Sequence, residues 1–176
     1  MATFGNTTAN DNYWTGHGTE QKVGGKFTLT EAGSVSSVSV RLCNTEAGHA
    51  SCYAKGLIYS DVDGTPTSLL GTSQATAIAD NATYAWVVFT FSTPVALSAG
   101  TYWLAYFGDS TADGVALGND GGSSGYTQYD NDTYSDGPEA TWTVSESRTY
   151  TFCIYATYTA TLPGFTGLTV TRLLQG

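Results

Sequence analysis

With 176 residues, 15 acidic side chains against six basic ones and a formal net charge of −9, the chain is acidic, sparsely charged and of single-domain length. The basic residues (Lys22, Lys26, Arg41, Lys55, Arg148, Arg172) are scattered along the sequence, which excludes a cationic stripe for phosphates and makes nucleic acid an unexpected partner. No apolar run approaches the roughly 18 residues of a membrane-spanning helix, so no membrane span is expected.

Thr, Ser, Gly and Tyr are abundant where helix formers would stand, and β-branched and aromatic residues fit a pleated surface, so the expected class is all-β. The start, MATFGNTTANDNYW, has neither the basic nor the apolar region of a secretory signal. Alternation at period two then recurs along the chain. VGGKFTLT puts Val23, Phe27 and Leu29 on one side. SVSSVSVRLC puts Val38, Val40 and Leu42 inward, with Ser39 and Arg41 outward.

Cys43 and Cys52 flank NTEAGHAS, a loop joining two predicted strands. A bridge between them would add about 2–3 kcal/mol if unstrained; three reduced thiols, Cys153 among them, is the other reading. YAKGLIYS is the next strand, DVDGTP a turn, SLLGTSQATAI a strand and NATY another turn. AWVVFTFS places Val87, Phe89 and Phe91 on the core face; Pro94 and Gly100 then separate it from GTYWLAYF.

That aromatic segment sends Tyr102, Leu104 and Tyr106 to one face and Trp103, Ala105 and Phe107 to the other. A core on one side of the strand can hold only one set, so the other set needs a loop, a neighbouring subunit or a ligand as cover. Residues 108–147 read as long Gly/Asp/Ser-rich loops with the short strands GVALG and GYTQYD, and TYTFCIYATYT, with Phe152 and Ile154 inward, is the closing strand. Seven or eight strands at this spacing predict a two-sheet antiparallel β-sandwich over residues 1–158.

Residues 159–176, TATLPGFTGLTVTRLLQG, follow that strand with a break at Pro163 and Gly164 and then an apolar, β-branched run. Exposed, such a run invites aggregation. One reading makes it a further strand of its own domain. The other makes it an extended arm whose Phe165, Leu168, Val170, Leu173 and Leu174 dock on a neighbouring subunit by strand addition.

The order of GGKFTL, GSVSSVSVRL, LIYSDVDGTPTSLLGTS, WVVFTFSTPVALSAGTYWLAYFGDS and YTFCIYATYT resembles a small jelly-roll-like domain of unassigned function found in bacterial surface and secreted proteins and in phage virion proteins. The resemblance spans about residues 3–158, with the SxPVxLxAGTYWLA block its most specific part. It implies a sandwich and a virion or extracellular setting, and it transfers no functional residues.

Three constellations remain. Asp109, Asp113, Asp120, Asp130 and Asp132 lie on the acidic loops, where oxygen ligands on flexible backbone suit a structural Ca²⁺; turn formation is the plainer use of such residues. DVDGTPTSLLGT opens like a calcium loop at Asp61 but lacks the closing Glu. Trp14, Trp86, Trp103 and Trp142, with twelve Tyr, offer faces on which sugars stack, and they equally suit a sandwich core.

His17 and His49 stand in loops without a partner motif, and no nucleophile elbow or zinc spacing occurs, so no enzyme is expected. The expected function is that of a non-catalytic structural protein: a capsid decoration or tail-associated virion component, or an extracellular filament subunit, assembling with itself or with other virion proteins. The alternative is a carbohydrate-binding module of a surface or secreted protein.

Overall fold

The computed structural model describes residues 1–10, 12–14, 20–44, 52–79, 81–109, 114–121 and 127–161. Within them the strands are β1 (Ala2–Gly5), β2 (Asn12–Trp14), β3 (Gln21–Leu29), β4 (Gly33–Asn44), β5 (Cys52–Val62), β6 (Thr65–Thr72), β7 (Thr76–Ile78), β8 (Asn81–Leu97), β9 (Gly100–Gly108), β10 (Val115–Asn119), β11 (Thr127–Asn131), β12 (Glu146–Arg148) and β13 (Ile154–Ala160). A 3-10 turn spans Tyr134–Asp136, and among the described residues no helix is long and apolar enough to cross a membrane.

The strands form two antiparallel sheets, a sandwich consistent with a jelly-roll-like fold. Sheet I is organised by β4, which pairs with β8 along one edge and with β13 and then β10 along the other. β1 and β2 extend it beyond β13 and β10. Sheet II runs β12-β11-β3-β9-β5, and β5 then pairs with β6 and with β7.

The inward side chains are those that the period-two alternation selects. Val23, Leu29, Val38, Val40, Leu42, Phe89, Phe91, Phe152 and Ile154 are all buried in one cluster, with Phe27 and Val87 packed on it. Burying each such side chain is worth about 1.5–3 kcal/mol, so this layer is the main source of stability.

Three local expectations change. NATY is the start of β8, not a turn, and Pro94 lies inside that strand. Proline is tolerated there because, among the described strands, β8 pairs on one side only, and the pairing slips beside it between Val35 and Ser37. SLLGTSQATAI divides into β6 and β7 because Ser73 ties the chain down: its N–H donates to the Gly56 carbonyl and its hydroxyl accepts from the Gly56 N–H. The DVDG turn holds as read. Asp63 and Gly64 have φ of 52° and 83°, the left-handed pair that a two-residue hairpin needs.

The Cys43–Cys52 bridge is not formed; all three cysteines are buried thiols. Cys52 points into the core from β5 of sheet II, its Sγ 3.9 Å from the Ile78 carbonyl. Cys43, on β4 of sheet I, is out of phase with the inward Leu42 and pairs with Ala116. The two side chains therefore leave different sheets in different directions.

Candidate functional site

The two faces of β9 answer the problem that the aromatic segment poses. Leu104 and Tyr106, with Tyr102 beside them, enter the core between the sheets. Trp103, Ala105 and Phe107 face away from it and form a second apolar layer with Leu57, Tyr59 and Trp142. The cover comes from the chain itself. Residues 132–145 cross the outside of sheet II as a strap, pressing Tyr134, Trp142 and Val144 onto that layer.

Backbone bonds fasten the strap at both sides. Leu69 N donates to the Ala140 carbonyl and Trp142 N to the Thr67 carbonyl, each at 2.9 Å, which covers the outer edge of β6. On the far side Asp132 N donates to the Glu20 carbonyl and Ser145 N to the Tyr129 carbonyl. The Trp142 ring meets Tyr59 edge-on at 5.0 Å, and Gly24 leaves room for it: a Cβ there would sit 3.0 Å from the indole and 2.7 Å from the Leu104 carbonyl oxygen.

Beneath the strap lies a buried ion cluster. Lys22 Nζ, fully buried, is 2.8 Å from Asp132 Oδ2, 3.2 Å from Glu139 Oε2 and 3.6 Å from Asp130 Oδ2. The Trp142 and Tyr59 rings lie 5.6 and 5.9 Å from the ammonium. Asp132 also accepts the Glu139 N–H, and the Tyr59 hydroxyl donates to the Glu139 carbonyl. Burial, then the nearby Asp132, Glu139 and Asp130 charges, raises the Tyr59 pKa well above that of an ordinary phenol. Burial, then Asp109 and Cys52, pushes Tyr134 up to about 12.

Lys26 lies over Trp103 and Lys55 over Tyr134, at 6.0 and 4.3 Å. Three lysines scattered in sequence thus meet on one face, each engaged with an aromatic ring.

The described calcium candidates, Asp109, Asp120, Asp130 and Asp132, are not gathered at one place. Asp130 and Asp132 surround Lys22. Asp109, at the end of β9, accepts the Tyr53 N–H, and Asp120, after β10 in the other sheet, accepts the Thr151 N–H. Asp113 lies outside the described residues, as do His17, His49 and the arm residues Phe165, Leu168, Val170, Leu173 and Leu174. Among the described residues no three His, Cys, Asp or Glu side chains are grouped to hold a metal ion.

Among the described residues no strap crosses sheet I. Its outer face carries Thr90, Val88 and Trp86 on β8, Ser37, Ser39 and Arg41 on β4, and Thr157 and Tyr155 on β13. Trp86 packs against Tyr155 at 4.9 Å, and Val88 is 51% exposed. Among the described strands β8 pairs only with β4. Near its middle the Gln74 N–H donates to the Thr90 carbonyl, closing the seam between the sheets. Toward Asn81 the seam opens into a groove of about 220 Å³ lined by Leu42, Ala77, Ile78, Thr83, Ala85 and Val87.

The chain leaves β13 at Thr161, whose N–H donates to the Ala32 carbonyl at the opposite end of β4. The strap cluster and the one-sided pairing of β8 among the described strands are the features that sequence reasoning missed. Pro94 inside an apolar run was the available sign of an edge strand. Lys22 beside a pair of glycines gave no sign of three carboxylates more than 100 residues away. The chain matches no protein-family model, no curated protein and no solved structure.

Proposed function

We propose that the protein is a non-catalytic assembly subunit, a virion component (capsid decoration or tail-associated) or an extracellular filament subunit, whose C-terminal arm docks on a neighbour. The observation that supports this reading is that β13, the last described strand before the arm, has a strand on each side. β13 already has β1 on one side and β4 on the other, and the outer face of sheet II is covered by its own strap. The sequence then continues with an apolar, β-branched run, residues 165–174. The resemblance to jelly-roll-like domains of surface, secreted and virion proteins points the same way.

The test is removal of residues 162–176. The shortened chain is expected to stay folded with its melting temperature within about 3 °C of the full chain, a stability change of about 1 kcal/mol at this size, and to lose concentration-dependent association seen by sedimentation velocity. Unfolding on truncation, or a full chain that stays monomeric at millimolar concentration, would remove the proposal.

A second reading, carbohydrate binding, is favoured by the half-buried Trp86–Tyr155 pair beside Ser and Thr side chains on the outer face of sheet I. It requires that Trp86→Ala lower binding to a glycan array at least tenfold while the chain remains a folded monomer.

A further inference from the structure

The Lys22 cluster holds an amine against a carboxyl group in the way that amide formation requires. Lys22 Nζ is fully buried and 2.8 Å from Asp132 Oδ2, whose side chain is itself only 5% exposed. The carboxyl carbon lies one C–O bond beyond Oδ2, so the amine is within about 4 Å of it. A near-attack pair stands at about 3–3.5 Å.

The backbone fixes both partners. Lys22 on β3 stands directly opposite Asp130 of β11, and Asp132, two residues later, is tied by its N–H to the Glu20 carbonyl. Groups fixed in this way react at effective molarities of about 10⁵–10⁸ M, which favours a condensation that free amines and carboxylates in water do not complete.

The neighbours supply the remaining parts. Glu139 Oε2 is 3.2 Å from Nζ on a side chain that is 45% exposed, so it can accept a proton from the ammonium and pass it on. The Glu139 N–H donates to Asp132 Oδ2 at 3.0 Å, which puts a fixed donor on the oxygen that turns negative when the carboxyl carbon becomes tetrahedral. The Tyr59 and Trp142 rings pack around the amine, and a cleft of about 390 Å³ lined by Asp132, Asp136 and Glu139 gives a released water its exit. Asp130 stands farther off, at 3.6 Å, with its Oδ1 accepting from the Ser145 hydroxyl.

We propose that Lys22 Nζ and the Asp132 side chain join as an amide, a covalent tie between β3 and the root of the strap. Glu139 takes one proton from the ammonium and delivers it to Asp132 Oδ1, and the freed amine attacks Cγ. A second proton, shed by the nitrogen in the tetrahedral state, reaches Oδ1 by the same route, and the Cγ–Oδ1 bond breaks to release water. Ammonium and carboxylate enter, amide and water leave, Glu139 ends as it began, and nothing is oxidised or reduced. The product replaces a buried ion pair by a neutral group, which removes the desolvation penalty of two charges. The tie forms within one molecule and needs no second copy.

Mass spectrometry of the purified, denatured full-length chain tests this. The wild-type chain is expected to be lighter than its sequence by one water. Trypsin is expected to pass over Lys22, whose charge is gone, so that residues 1–26 stay joined to residues 56–148, the tryptic fragment that contains Asp132. Lys22→Arg and Asp132→Ala are each expected to restore the full mass. Glu139→Gln is expected to slow linkage about a hundredfold, leaving full-mass chain in the fresh preparation.

A wild-type chain of full sequence mass that trypsin cuts after Lys22 would overturn the proposal. So would a water lost without a cross-link, as by ring closure at Asp136–Gly137, or a cross-link that fragmentation assigns to Asp130 or Glu139. The wild-type mass and digest decide the matter even if a variant fails to fold, and neither depends on self-association.

Discussion

Lys22 shows how a single side chain holds the strap. Its ammonium is answered by Asp132 at 2.8 Å and by Glu139 and Asp130 farther out, with both aspartates nearly buried. Removing one partner of a buried ion group leaves uncompensated charge, which typically costs about 3–5 kcal/mol. Lys22→Met is therefore expected to lower stability by that amount in urea unfolding, more than any exposed Lys substitution. Adding Asp132→Asn to Lys22→Met should recover part of the loss, because one stranded charge is then removed. Additive losses in the double variant would contradict the cluster as described.

Gly24 and Gly100 make a matched pair at the same scale. A Cβ on Gly24 would come within 2.7 Å of the Leu104 carbonyl oxygen and 2.9 Å of the Ala105 Cβ, whereas at Gly100 the nearest atom is 3.5 Å away. Overpacking of this kind costs about 1–3 kcal/mol. Gly24→Ala should lose that much stability and loosen Trp142, seen as a red-shifted emission, while Gly100→Ala should be close to neutral.

At the scale of elements, the strap converts what would be an exposed aromatic face into a third layer. Trp142 enters it from a segment of irregular backbone, fixed by the Ser68–Thr141 bridge and by the two strap bonds to β6. Trp142→Ala deletes the largest strap side chain in that layer and should cost about 3–5 kcal/mol. The loss should appear first as proteolytic cleavage within residues 132–145, with the sandwich still protected, because the core between the sheets does not contain Trp142.

Alkaline pH should loosen the same element. Tyr59 and Tyr134 have folded pKa values above the ordinary value of 10.0, so the stability they contribute is complete below about pH 10. It declines as pH rises through about 12 for Tyr134 and further for Tyr59. Stability measured from pH 9 to 12 should fall, and Tyr59→Phe should flatten the slope. A pH-independent stability over that range would refute the burial of these phenols.

The sandwich was legible in the sequence because period-two alternation is a local property: Val38, Val40 and Leu42, or Phe89 and Phe91, declare their face without reference to any other strand. The need for cover over Trp103 and Phe107 was legible by the same counting. What covers them was not. Trp142 is 39 residues downstream of Trp103 in a stretch without periodicity, and a strap is defined by where the chain crosses, which no local pattern encodes. The bridge expected between Cys43 and Cys52 failed for a related reason: nearness across an eight-residue loop says nothing about which sheet each flanking strand joins.

Over the whole molecule, the described acidic residues that suggested calcium are distributed among separate structural tasks. Asp109 ties the end of β9 to Tyr53 in sheet II, Asp120 ties the end of β10 to Thr151 beside sheet I, and Asp130 and Asp132 neutralise Lys22 under the strap. A site that bound Ca²⁺ in the folded state alone would stabilise the protein by about 2.7 kcal/mol at 100 times its Kd. For a chain of this length that is a rise in melting temperature of about 5–10 °C. The arrangement of the described carboxylates predicts a difference below about 1 °C between millimolar calcium and EDTA in differential scanning calorimetry. The strap should also keep its protease resistance in both buffers, since Asp132 and Glu139 are held by a lysine that no chelator removes. A calcium-dependent rise of several degrees, lost in Asp130→Asn or Asp132→Asn, would instead mean that the metal competes with Lys22 for the same oxygens.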